Sequence, residues 1–120
     1  MNSCADAILA LERERVIAFP PRYRQFLSEE IKDSELYEIL AINDCYVCFY
    51  NIFDLNERNE TYQIYQTVPD YFMIGQDGDI GYFVRVEKHS ADDEIMSVDL
   101  GAVGCVAMNS EARDINALRG

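Results

Sequence analysis

Two cysteines three apart, in Cys45-Tyr46-Val47-Cys48, have the spacing of a redox pair or a zinc half-site. A redox pair needs its leading sulfur at a helix N-terminus, where backbone N–H groups lower the thiol pKa. Here Tyr46, Val47, Phe49 and Tyr50 favour strand, and strand residues three apart point to opposite faces, so the two thiols diverge. Zinc would need two further ligands, and only Cys4, Cys105 and His89 remain, at no recognisable spacing. His89 is the single histidine, and the polar loop Glu87-Lys88-His89-Ser90-Ala91-Asp92-Asp93-Glu94 gives it no nucleophile to activate. Asp77 and Asp79 flank Gly78 as in part of a calcium loop, without its first aspartate or its closing glutamate. Gly75, Gly78 and Gly81 make no phosphate cradle either, because the turn feeds a strand and carries two carboxylates. The residues therefore point to a chain that is not an enzyme, with no catalytic residue, no metal and no cofactor.

What stands out instead is charge. Against 10 basic residues there are 22 acidic ones, a net charge of −12 with a sequence pI near 4.3. Such a chain repels nucleic acid and anionic membrane surfaces and steers basic partners towards itself. The carboxylates fall in four clusters: Glu29, Glu30, Asp33 and Glu35; Glu57 with Glu60; Asp77 with Asp79; and Asp92, Asp93 and Glu94. Each cluster alone reads as a solvated loop, and together they can present a negative face. The partner-binding candidates are Glu57, Glu60, Asp77, Asp79, Asp92, Asp93 and Glu94. Asp77 and Asp79 come first among them, on a short, stiff turn read as solvent-facing. Tyrosines at 46, 50, 62, 65, 71 and 82 add rigid anchors for an interface wherever they are exposed.

These residues need elements to hold them. Ser3 or Asp6 caps a first helix running to about Arg15, with Ile8, Leu9 and Leu11 as its apolar positions, and Phe19-Pro20 breaks it. Pro21 suits the first turn of a second helix, on which Tyr23, Phe26, Leu27 and Ile31 form one apolar face. The stretch from Leu36 to Ile42 reads as strand-like or irregular. Tyr46 to Phe53 reads as a central strand, and Asp54 or Asn56 starts a third helix through Tyr62. Hairpin strands follow at Phe72 to Gly75 and Tyr82 to Val86 around the Asp77-Gly78 turn. Further strands are expected at Ile95 to Leu100 and Cys105 to Met108. Ser110 with Glu111 opens a last helix carrying Ala112, Ile115 and Leu118 on one face. This order predicts an α+β fold, a mainly antiparallel sheet flanked by N-terminal helices and a C-terminal helix, in one domain over residues 1–120. Tyr23, Phe26, Leu27, Phe72, Ile74 and Phe83 are its expected core.

Three blocks in order carry a family likeness. Phe19-Pro20-Pro21-Arg22-Tyr23-Arg24-Gln25-Phe26-Leu27 matches a helix start with proline, tyrosine and phenylalanine-leucine at fixed spacing. Asp54 to Tyr62 matches a short helix with leucine, asparagine and tyrosine, and Pro69 to Phe83 matches a proline, aromatic pair, isoleucine-glycine and acidic glycine turn. In these the chain resembles the SUKH superfamily, whose founding member is a fungal cell-wall synthesis regulator, over roughly residues 5–118. It departs from the pattern where the family has asparagine-glycine-glycine after the second helix and this chain has Glu30-Ile31-Lys32-Asp33-Ser34. The resemblance implies a non-catalytic protein-binding domain. In bacteria many such domains are immunity proteins that neutralise a toxin, often a nuclease, by direct binding, and the acidity suits a partner with a basic groove. A regulatory interaction scaffold is the alternative, and a metal-dependent enzyme a further one.

Met1 leads into an amphipathic run without the basic start and apolar core of a signal peptide, and no stretch approaches the ~18 apolar residues of a membrane span. The expected location is the cytoplasm, where the four cysteines stay reduced.

Overall fold

The apolar runs become six strands: β1 (Tyr37–Leu40), β2 (Tyr46–Phe49), β3 (Tyr71–Asp77), β4 (Ile80–Arg85), β5 (Ile95–Asp99) and β6 (Asn109–Ala112). They lie side by side in chain order, every neighbour antiparallel, so β1 and β6 are the two edges of one sheet. Residues 3–88 and 92–120 are described by this computed structural model. The helices are α1 (Cys4–Arg15), α2 (Pro21–Phe26), α3 (Ile52–Thr61), α4 (Ile64–Thr67) and α5 (Ile115–Arg119), which makes the fold the expected α+β class.

β3 and β4 are apolar without alternation because both of their faces are covered. On one face Phe72, Ile74, Tyr82 and Val84 join Ile8, Tyr23, Phe26, Leu27, Ile115 and Leu118 in the main core. On the other, Met73 and Phe83 pack with Ile64 and Val98 in a smaller cluster bordered by Val68, Leu100 and Met108. All six expected core residues are buried to 2% exposure or less. Phe26 meets Tyr37 and Phe49 edge-on at 5.6 and 5.3 Å between ring centroids, fixing α2 over the first two strands.

Local signals explain most boundaries. The Ser3 side chain accepts from the Asp6 N–H and starts α1, which ends at Val16 in the left-handed region. Pro21 occupies the first turn of α2, and the helix then widens into a π-helical turn, Leu27–Ile31, closed by Lys32 at φ 53°. That turn stands where the chain departs from the SUKH pattern. The β3–β4 hairpin closes through Gly78 and Asp79, with Gly78 at φ 57°, a backbone that glycine adopts without a Cβ clash. At Gly75 a Cβ would stand 2.6 Å from the Cys48 carbonyl oxygen, so only glycine lets β3 approach β2.

Four expectations change. The strand expected over Tyr46 to Phe53 ends at Phe49 and is second from the edge, because Asn51 accepts from the Asp54 N–H and starts α3 at Ile52. Tyr62 to Val68 adds the short helix α4, which the sequence reading omitted. Cys105 to Met108 is not a strand, since Leu100–Ala102 form a 3₁₀ turn whose carbonyls hold the following loop. Ser110 and Glu111 lie in β6, and the last helix starts later, capped by Asp114, whose carboxylate accepts from the Ala117 N–H at 2.7 Å.

Candidate functional site

The seven carboxylates singled out by sequence do not share one face. Asp77 and Asp79 lie at one end of β4, and Asp92, Asp93 and Glu94 lie beyond its other end. Several hold the fold together. Asp93 accepts from the Arg22 and Tyr23 N–H groups at 2.9 and 3.3 Å, capping α2 from a distant loop. Glu94 accepts from the Ser110 hydroxyl at 2.6 Å and clips β5 to β6, while Asp92 accepts from the Glu94 N–H. Glu60 pairs with Arg15 at 2.9 Å, on the guanidinium that also stacks over Tyr65. Glu57 is exposed and receives the Arg58 guanidinium at 2.6 Å and the Thr61 hydroxyl at 2.7 Å, which hold its carboxyl below the usual range.

Asp79 is exposed, but Asp77 is not the solvent-facing turn residue expected. It is half-buried in β3, within hydrogen-bond reach of the Cys45 thiol, which also meets the Tyr82 hydroxyl. Asn43 donates to Tyr82 Oη at 3.0 Å, and Ser97 donates to Glu111 at 2.6 Å, extending a polar network across this end of the sheet. Partial burial and then the Asp77 carboxylate push the Cys45 thiol up. Burial and the Glu38 carboxylate, which accepts from Cys48 at 3.4 Å, do the same to Cys48. Both sulfurs are thus held as thiols, which are poor nucleophiles and poor metal ligands. Among the described residues no three His, Cys, Asp or Glu side chains gather as a metal site. His89 lies outside the described residues.

The surface that the sequence reading missed is the β1–β2 hairpin. Leu40 and Tyr46 are cross-strand partners, yet they are 52% and 58% exposed, and Leu36 and Ile42 at the two ends of β1 are exposed as well. Alternation sets Leu40 and Tyr46 on the face opposite Val47 and Phe49, together with Glu38 and Cys48. Gln76 is Cys48's neighbour in β3 and is held by the Tyr50 hydroxyl. This face thus sets an exposed leucine–tyrosine pair beside Glu38, Cys48 and Gln76.

Its charge is one-sided. From Asp33 through Glu57 the chain has six carboxylates, at 33, 35, 38, 44, 54 and 57, and no lysine or arginine. Arg58, the first cation after that stretch, is occupied by Glu57. This run of acids without a single cation is the signal that would have located the hairpin in the sequence. Exposed apolar side chains on a ribbon can supply contact area, and carboxylates around them favour basic groups over acidic ones.

No protein-family model matches the chain, and no curated protein matches it.

Proposed function

We propose that the chain is a non-catalytic protein-binding domain of the SUKH kind that serves as an immunity protein, neutralising a basic toxin domain by direct contact. The observation that carries this reading is the exposed Leu40–Tyr46 pair on a hairpin whose charged residues are all acidic. A nuclease groove is basic because it must hold phosphates, and an acidic, apolar-floored face competes for it on both counts. The resemblance supports the same reading. Its proline-tyrosine-phenylalanine block opens α2 and supplies Tyr23, Phe26 and Leu27 to the core, while its glycine turn closes the β3–β4 hairpin.

The test is protection. The chain is produced together with each toxic basic domain encoded by a neighbouring gene, and cells are expected to survive one of them with it and die without it. Death at equal rates in both cultures removes the immunity role. With purified toxin domain, the association rate should fall steeply as salt rises, since the screening length shrinks from about 10 Å at 0.1 M to about 3 Å at 1 M. A rate indifferent to salt would favour the regulatory scaffold, docking through tyrosine contacts alone.

A further inference from the structure

β1 is an edge strand with an open side. In an antiparallel pair, residues alternate between those that exchange hydrogen bonds with the partner and those whose N–H and C=O point away. The Ala41 N–H donates to the Cys45 carbonyl at 2.9 Å, so Ala41, Ile39 and Tyr37 face β2, while Glu38, Leu40 and Ile42 direct their backbone groups outwards. The Ile42 N–H finds the Leu118 carbonyl at 2.9 Å, and among the described residues it is the one outward group between Tyr37 and Ile42 given a backbone partner. Glu38 and Leu40 keep theirs open, beside an apolar face. Natural sheets protect such an edge with shortness, charge, proline or a bulge; β1 is four residues long and carries one glutamate, with no lysine, proline or bulge.

We infer that β1 accepts an added strand: an extended segment of a different protein, with basic side chains alternating with apolar ones. It bonds to Glu38 and Leu40 and lays its apolar side chains against Leu40 and Tyr46. This rests on the protein-binding reading above and gives it a mode. Main-chain bonds in such an addition supply affinity, and alternate side chains supply selectivity. Charge decides the occupant. A second copy of this chain, at −12, would bring its own Glu35, Glu38 and Asp44 against the same residues, whereas an incoming strand that carries lysines or arginines is drawn to this acidic edge by its overall charge.

The probe is a nine-residue peptide alternating lysine and valine, tested alongside two forms of it, one N-methylated at every valine and one at every lysine. All N–H groups on one side of a strand belong to alternate residues, so methylation removes the donors of one side only. The unmethylated peptide is expected to bind and to slow hydrogen exchange at the Glu38 and Leu40 amides. One methylated form should lose binding while the other keeps it. Leu40→Pro removes the outward donor without touching a bond to β2, and should weaken the peptide roughly tenfold beyond Leu40→Ala, the equivalent of one good hydrogen bond. Equal binding by all three peptides overturns strand addition while leaving a protein-binding face in place. Slowed exchange at β6 instead of β1, or no binding by any peptide, also overturns it. Failure of the protection test with peptide binding intact would remove the immunity role and leave the added strand standing.

Discussion

The two edges of the sheet are treated in opposite ways. β6 is Asn109-Ser110-Glu111-Ala112, polar and tied on through Ser110 to Glu94 and through Glu111 to Ser97. β1 is Tyr37-Glu38-Ile39-Leu40, with an exposed leucine and outward backbone groups. A third place where the sheet loses a neighbour shows what closure looks like. Where β2 turns away into α3, Asn59 is fully buried and its side-chain amide accepts from the Met73 N–H at 2.8 Å and donates to the Met73 carbonyl at 3.0 Å, as a strand would. One open backbone site is filled from within and one edge is made polar, whereas β1 leaves outward backbone groups and an exposed leucine at its edge.

The largest effect expected of a single substitution is at the filled gap. Asn59→Ala strands a buried donor and acceptor on Met73 and should lower stability by about 3 kcal/mol, measured by urea unfolding. A loss below about 1 kcal/mol would mean that the gap does not need filling, and the contrast with β1 would lose its force. The counterpart at the open edge is Leu40→Lys. It should change stability by no more than about 0.5 kcal/mol, because Leu40 is half-exposed and outside the core. A large loss there would make Leu40 a structural residue.

Alkaline pH probes the buried and part-buried thiols and phenols of the sheet and its connections. Burial, the leading cause in each case, raises Cys45, Cys48, Tyr50 and Tyr82, and raises Tyr65 to about 12. The folded chain therefore keeps protons that the unfolded chain sheds above about 8.5 for thiols and about 10 for phenols. Stability should be at its full value below these and fall as pH climbs towards 12. A flat urea midpoint from pH 8 to 11, read with the ~8.5 and ~10 reference values, would contradict the burial assigned here. One effect has the opposite sign. The Tyr23 hydroxyl is buried with no hydrogen-bond partner among the described residues, so Tyr23→Phe should stabilise the chain by about 1 kcal/mol, read from the same denaturation curves.

Legibility in the sequence followed the strength of local signals. Pro21, the 3.6-residue spacing of Tyr23, Phe26 and Leu27, and the Gly78 turn located α2, its buried face and the central hairpin. Boundaries failed where a competing cap lay nearby. Asn51 captured the end of an apolar run that reads as strand, and Asp114 displaced the helix start expected at Ser110. The carboxylates were legible as charge but not as contacts, because Asp93 meets α2 some seventy residues away in sequence, and nothing local reports that distance. The β1–β2 face was hidden for a related reason. A half-exposed apolar strand and a buried one look alike until the opposing layer is known, and no helix covers Leu40 or Tyr46.

The most direct measurement compares two charge-bearing double variants against the basic toxin domain proposed as the partner. Leu40→Lys with Tyr46→Lys places two cations on the β1–β2 face, while Asp79→Lys with Asp92→Lys makes a change of charge elsewhere on the surface, at two exposed carboxylates. Titration calorimetry, with a thermal melt of each variant to verify folding, is expected to show affinity lost by at least ~100-fold for the first and changed by less than ~10-fold for the second. Affinity retained by the first variant and lost by the second would contradict the assignment of binding to this face.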